Sequence, residues 1–523
     1  MWRFKQISST VARRVTESPS DADADAFISA TGITDTTQKQ AIQNLVTDLK
    51  DAGLWARWDM LYPFVGGTAT THKYNLKDPR DLDAAFRITF SGAVTHDSNG
   101  ITGTFSSTTH QCDIHYNTGL VTQDDNSMWY YDKTARPAEN TNIMHDMGGD
   151  DHFIMSQWNG PGDENYYAEN SNPLLYSTFP SGGTQGFTGM SRIIGSEYKV
   201  FRDGALVYTA NTANDASRTI VAQNVAVAGR FGSTASSDNY AFFAIGGGLT
   251  PAEVTTFNTI IQDYQTALGR QTYDADAETF ISAAGITAKE QKQAINTLVI
   301  DLKFKGLWDK SVALYPFVGG TATTHKYNLK NPLDTDAGFR ITFGTGFTHS
   351  ANGVDSDGSS GAVAGTNIIP ATNLAGKQNN LALHNYVTEA TAGAFQDLGF
   401  DGTTHPLFIT PSYNGTAYFA INSQQSSATA MTIQAMTSVS RLSATEIKAY
   451  TNGVLIHTEA NNSTGLDATG EIGVVGMGTS SIRSQRNSAF VGVTEGFTDT
   501  EMLDFYNAVE KYQTTLGREN PIL

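Results

Sequence analysis

The sequence predicts a mainly β protein made of two tandem sandwich modules, and three observations carry that expectation. The stretch Leu61–Lys77, LYPFVGGTATTHKYNLK, returns unchanged at Leu314–Lys330. Around it, residues 21–100 align without gaps to 274–353 with roughly two residues in three identical, as two copies of one folding module would. Each copy then carries short apolar runs broken by turn residues, about ten to twelve of them, a pattern that suits a sandwich or jelly roll. Each copy finally closes on one well-marked helix.

The elements follow in order. Residues 21–30 read as a short helix stopped by Gly32. A second helix starts at Thr34, with Ile42, Leu45, Val46 and Leu49 on one face, and ends at Gly53. In copy two the pattern Thr287-x-x-Glu290 predicts a capping box, and Ile295, Leu298, Val299 and Leu302 form the apolar face. Trp55 and Trp308 follow as matched anchors. The repeated stretch reads as a strand, a turn and a second strand. Further strands are expected at 86–90 and 339–343, and Met128–Tyr131 is matched to Ala382–Asn385. Strands 153–158 and 166–168 flank a loop, as 407–413 and 418–420 do in copy two. Asp203-Gly204 and Asn452-Gly453 sit between paired β-runs and predict tight type I′ hairpins, because those residues accept positive φ. The closing helices start at Thr250-Pro251-Ala252-Glu253 and Thr498-x-x-Glu501, and Gly269 and Gly517 stand where they end.

Composition sets bounds on function. Charged residues make up 16% of 523, and 52 acids against 34 bases give a net charge of −18. Such a field disfavours non-specific binding to nucleic acid or to an anionic membrane. The single Cys112 excludes an internal disulfide and a thiolate zinc site. There is no apolar run long enough for a membrane span. Residues 1–20 lack the apolar core of a signal peptide and carry Arg3, Lys5, Arg13 and Arg14 against one acid, Glu17. They read as an arm that docks on another chain, with Trp2, Arg3, Phe4, Lys5, Arg13 and Arg14 as its anchoring residues.

Candidate chemistry is sparse. The run Asp21, Asp23, Asp25 lacks the glycine and terminal Glu of a calcium loop and suits a helix N-terminus instead. His72/His325 and His96/His349 are matched but lack metal-ligand spacing, so structural hydrogen bonding is expected and no metal or cofactor. Arg192/Arg441 are expected to bridge the two sheets through a carboxylate such as Asp146/Asp397. Trp158-Asn159-Gly160 and Tyr413-Asn414-Gly415 place an aromatic and an amide at a strand-to-turn edge, and Tyr166 and Tyr418 lie on the returning strands. Sugars bind by stacking on aromatic faces and hydrogen bonding to amides, so Trp158, Asn159, Tyr166, Tyr413, Asn414 and Tyr418 are the candidate glycan site. No facing pair of carboxylates recurs at matched positions, as glycoside hydrolysis would require, so no catalytic residue is assigned and a non-enzyme is expected.

The string YPFVGGTATTHKYNLK, the following FRITF and THxxNG, and the hairpin with its SR before and its (L/F)T..E after resemble the laminin-G-like, concanavalin-A-like jelly-roll modules of tailed-bacteriophage structural proteins, including those of crAss-like phages. The resemblance spans nearly all of the chain beyond residue 20, twice. It implies two tandem jelly-roll β-sandwiches, each with short N-terminal helices and a closing helix. It also implies a virion protein made in the host cytoplasm, such as a head or tail fibre, held by its N-terminal arm to other virion proteins, assembled as a dimer or trimer and presenting weak sites to host surface polysaccharide. The expected domains are an arm (1–20), helical segment 1 (21–58), module 1 (59–270), helical segment 2 (271–311) and module 2 (312–523). A spacer or capsid decoration without ligand is the first alternative; a polysaccharide-degrading enzyme is the second.

Overall fold

The computed structural model describes residues 20–104, 112–114, 122–134, 147–148, 152–158, 164–169, 175–178, 185–211, 217, 224–230, 234–235, 238–359, 361–389, 391, 393, 395–400, 405–429, 431–467, 470–477 and 483–518. The chain divides into two compact units, Met1–Thr272 and Tyr273–Leu523. Both are mainly β, and each is described by itself.

In the second unit an eight-stranded antiparallel sheet runs in the order Phe347–Ser350, Gly353–Ser356, Ser488–Thr494, Leu381–Val387, Met436–Arg441, Glu446–Thr451, Val454–Ala460, with Ser311–Tyr315 also paired to Ser488–Thr494. Helices Ala275–Ala284, Lys289–Phe304 and Asp499–Thr515 pack on one face around Tyr386, Met436, Tyr450 and Phe490. On the other face Leu381, Leu383, Val439, Val491 and Val493 share a core with Leu398, Leu407, Ile409, Phe419 and Ile421 of a second sheet. That sheet runs Ser426–Thr429, Thr416–Ile421, Leu407–Tyr413, Leu398–Phe400, Gly476–Met477. The large sheet is thus covered on both faces, which is why Leu381–Val387 is buried at every residue instead of alternating.

The first unit repeats the large sheet in the same order, from Thr95–Asp97 through the central Asn126–Asp132 to Ala205–Ala210. Helices Ala22–Thr31, Thr36–Asp51 and Pro251–Ala267 enclose Trp58, Trp129, Phe187, Phe201 and Phe242 on its helical face.

The hairpin expectation holds: φ is positive at Asp203 (45°) and Gly204 (80°), and at Asn452 (49°) and Gly453 (74°). Both closing helices have the predicted capping boxes, Thr250 with Glu253 and Thr498 with Glu501. Gly269 and Gly517 take left-handed φ of 66° and 68° just past the helix ends.

Three local expectations are corrected. Thr287 caps nothing: Lys289–Phe304 starts from Ala288, which has no side chain able to cap. The matching position in copy one is Asp35, which accepts from the amide of Gln38. The repeated stretch holds one strand rather than two. After Trp58–Tyr62 it forms a one-turn helix, Ala69–His72, and the chain returns so that the Asn75 side chain accepts from the Leu61 amide at 2.9 Å. The match of Met128 to Ala382 is one residue out of register. Met128 pairs with Ile245 and Met190, and it is Leu383 that pairs with the equivalent Val493 and Val439. A one-residue slip exchanges the faces of a strand, so the true counterpart of Trp129 is His384.

That register exposes a coupled change between the copies. In copy one a Cβ on Gly189 would lie 2.1 Å from Trp129 Cε3, so the indole needs glycine opposite. In copy two the same place is Ser438, whose hydroxyl meets His384 Nδ1 at 2.9 Å, while Thr494 Oγ1 meets Nε2 at 2.9 Å. The smaller ring leaves room for two hydroxyls, and they satisfy its two nitrogens.

The element that ties each unit together is an arginine three residues past the closing helix. Arg270 is buried, and its Nη atoms donate to the carbonyls of Phe64 (2.9 Å), Pro63 (3.2 Å) and Ala241 (3.3 Å), with Nε on Gln265 at 2.9 Å. Tyr264 donates to the same Pro63 carbonyl at 2.8 Å. Arg518 does the same to Phe317 (3.0 Å) and Pro316 (3.3 Å), and Tyr512 donates to Pro316 at 2.9 Å. Phe64 and Phe317 each sit at φ 41°, a strained value for a bulky residue that the clamp holds in place. Arg518→Met should lower the stability of the second unit by about 3 kcal/mol, because several buried carbonyls lose their donor at once. Urea unfolding of the variant beside the parent measures this, and Lys511→Met, which removes only a part-exposed pair with Asp301, should cost well under half as much.

Candidate functional site

One face of the second sheet of the second unit packs into the core; on the opposite face Phe408 and Ala420 are buried as well, and Tyr413, Asn414 and Tyr418 are the residues that solvent reaches at its end. Leu407, Ile409, Ala417, Phe419 and Ile421 point inward; Phe408, Ala420 and Tyr418 form the outer cluster. At one end of this face the chain reverses through Asn414 (φ 49°) and Gly415 (φ 90°), with Tyr413 paired to Thr416 across the turn. The turn is thus a third Asx-Gly hairpin of the kind the sequence marked elsewhere.

Tyr413 and Tyr418 are half-buried, and their rings meet edge to face at 6.2 Å and 76°. Asn414 is exposed at the tip and donates its backbone amide to the Gly393 carbonyl at 3.4 Å. Among the described residues, neither phenol hydroxyl nor the Asn414 side-chain amide has a hydrogen-bond partner. The three residues expected from copy two are therefore brought together on one hairpin. In copy one, Trp158 ends the strand His152–Trp158 and pairs with Glu164, while Tyr166 pairs with Met155 and Tyr176 on the returning strand. Asn159 lies outside the described residues, as do Trp2, Arg3, Phe4, Lys5, Arg13, Arg14 and Asp146.

The expected bridge between Arg441 and Asp397 is corrected. Arg441 is fully buried, and it donates instead to the carbonyls of Ile421 (2.8 Å), Asn461 (2.8 Å) and Ser443 (3.2 Å). It does join the two sheets, from Met436–Arg441 to Thr416–Ile421, but through the main chain. Burial lowers its pKa to about 10. Asp397 pairs with Arg486, both wholly buried, and also accepts from Ser484 at 2.5 Å. Arg486 continues to the carbonyls of Ser412 (2.7 Å) and Thr391 (3.0 Å), so this ion pair braces the strand end that carries Tyr413. Arg192 donates to the Gly195 and Glu197 carbonyls.

The matched histidines form two equivalent pairs. His72 Nδ1 lies 3.1 Å from His96 Nδ1, and His325 Nδ1 lies 3.1 Å from His349 Nδ1. Gly67 and Gly320 donate their amides to Nε2 of His72 and His325. A neutral imidazole that accepts at Nε2 carries its proton on Nδ1, so each inner ring donates to the outer one. That tautomer leaves no lone pair on Nδ1 of the inner ring for a metal. Among the described residues no three His, Cys, Asp or Glu side chains gather into a cation site. The acids at the helix start also have protein partners: Asp21 caps Ala22–Thr31 and pairs with Lys50, as Asp274 pairs with Lys303.

No family model matches the chain, and no curated protein matches it. Solved structures do. Domain 4 of an extracellular arabinanase from Geobacillus stearothermophilus, in complex with arabinotriose, matches at 15% identity over 39% of this chain and 98% of that one, with a TM-score of 0.26. Trypanosoma rangeli sialidase matches at 10% identity over 68% of this chain and 60% of that one, TM-score 0.30. The binding domain of Paraclostridial Mosquitocidal Protein 1 matches at 10% over 38% and 52%, TM-score 0.28. At these values the likenesses pass neither a ligand nor a reaction to this chain. One expectation is nevertheless corrected. The chain is not set down as a non-enzyme, because sialidases stand among its structural matches, and the lack of a matched acid pair in the sequence does not decide the question.

The buried histidines give a pH dependence. Burial drives the pKa of His72, His325 and His384 down to about 3, with His96 and His349 adding to the effect at the first two. An unfolded histidine takes its proton near 6.5. Between those values the unfolded chain holds more protons, so this stability is fully present above pH 6.5 and drains away as pH falls toward 3. Urea midpoints should therefore decline from pH 6.5 to pH 4, and His384→Gln, which cannot be protonated, should flatten that decline.

Proposed function

We propose that this chain is a surface protein of a tailed-phage particle that attaches weakly and in many copies to host glycans, through the outer face around Tyr413, Asn414 and Tyr418. One observation carries the site. Two tyrosines and an amide stand together on one hairpin, and among the described residues nothing hydrogen-bonds to the two phenols or the Asn414 side chain. A tyrosine ring offers a flat apolar face for the C–H side of a sugar, and the phenols and the amide serve its hydroxyls. The brace from Arg486 supports this reading, since a preformed site loses less entropy on binding. The particle location rests on the sequence resemblance and on the basic segment before residue 20, which suits docking to another virion chain. Weak single sites become useful when a particle displays many of them.

Tyr418→Ala should weaken binding of the full chain to host surface polysaccharide by about tenfold, on the order of 1.4 kcal/mol, while the urea midpoint moves little. Surface plasmon resonance on immobilised polysaccharide reads the first quantity. Equal binding by parent and variant would remove the site. Antibody labelling of purified particles tests the location separately.

A further inference from the structure

The outer face has an unusual charge pattern, and it bears on which sugars fit. The strands Leu398–Phe400, Leu407–Tyr413, Thr416–Ile421 and Ser426–Thr429 contain no charged residue. Between Lys377 and Arg441 the chain has no lysine or arginine at all, and copy one repeats this between Arg136 and Arg192. The guanidinium groups that reach the sheet from elsewhere are not offered to solvent. Arg441 and Arg486 are fully buried and committed to carbonyls and to Asp397, and Arg483 is buried as well. The exposed ionisable group nearest in sequence before the strands is an acid, Glu389, in a chain of net charge −18.

Resting on the glycan reading above, we propose that this face takes neutral sugars and rejects sugars that carry a carboxylate. A uronic or sialic acid needs a cation, best a guanidinium that can meet both oxygens. Here the four strands offer it no cation, and it would enter a negative field. A neutral sugar needs only what the face supplies: the ring faces of Tyr413 and Tyr418, two phenol hydroxyls, the Asn414 amide and the exposed hydroxyl of Ser427 opposite Tyr418. The duplication strengthens the point, because copy one replaced most side chains of this region and still acquired no cation between its own arginines.

The test uses the full chain on an array of matched oligosaccharides: gluco-, galacto- and manno-oligomers beside their uronate or sialyl-capped counterparts. Neutral members should bind, and each acidic counterpart should bind about tenfold more weakly at low ionic strength, with the gap closing as salt screens the field. Ser427→Lys places one cation on the exposed strand and should narrow the gap. Asn414→Gly keeps the positive φ of the turn while deleting the amide, and should weaken neutral binding. If acidic members bind more tightly and Tyr418→Ala abolishes that binding, the charge rule falls and the site stands. If neutral members bind and neither Tyr418→Ala nor Asn414→Gly changes it, the site falls. Binding to no member overturns both.

Discussion

A guanidinium sealed inside each unit, just past the closing helix, holds carbonyls that no strand ladder reaches. Arg270 and Arg518 grip the Pro-Phe carbonyls of the repeated stretch, and a tyrosine from the closing helix grips the same proline carbonyl. An arginine cannot shed its charge in a protein, so burying it demands that its donors be met. Here they are met largely by main chain held at a strained φ. The arrangement fixes the last helix, the first strand and the loop after it relative to one another. Both copies carry the same letters there, at Tyr62–Gly67 and Tyr315–Gly320, and the same positive φ at the phenylalanine. Side chains there could drift, but the path of the backbone is what the guanidinium reads.

From that fixed corner the rest of each unit follows. The closing helix and the two N-terminal helices seal one face of the large sheet, and in the second unit the smaller sheet seals the other. With both faces covered, the central strand must satisfy its polar residues internally. His384 does so through Ser438 and Thr494, whereas Trp129 fills the space with its ring against Gly189 and, among the described residues, leaves its buried indole Nε1 without a partner. The smaller sheet carries the outward face where Tyr413, Asn414 and Tyr418 meet. Its strand end is anchored to the core by the buried Asp397–Arg486 pair. Such a pair gains little net stability over an apolar one, but it fixes the geometry of what it touches.

Much of this was legible in the letters. Turn chemistry read correctly because it is local: Asp-Gly and Asn-Gly accept positive φ whatever surrounds them, and Thr-x-x-Glu caps both closing helices, though Thr287-x-x-Glu290 fails because its helix starts one residue later. The tyrosine turn was found for the same reason. The register of the central strand was misread because an apolar run buried on both faces has no alternation to fix its phase. The partner of Asp397 was misread because Arg441 and Arg486 are equally good cations on paper. The arginine clamp passed unnoticed, although Leu-Gly-Arg after both closing helices was a visible signal.

The sequence by itself determined the duplication, the mainly β class, the closing helices and the tight hairpins, since each depends on residues within a few positions of one another or on the repeat itself. The tertiary structure alone decided which strand faces which core, which carboxylate meets which arginine, and how the histidine pairs share their protons. Those choices depend on distances between residues 24 to 89 positions apart, and on which groups folding has stripped of water. Neither is written in any short stretch of the chain.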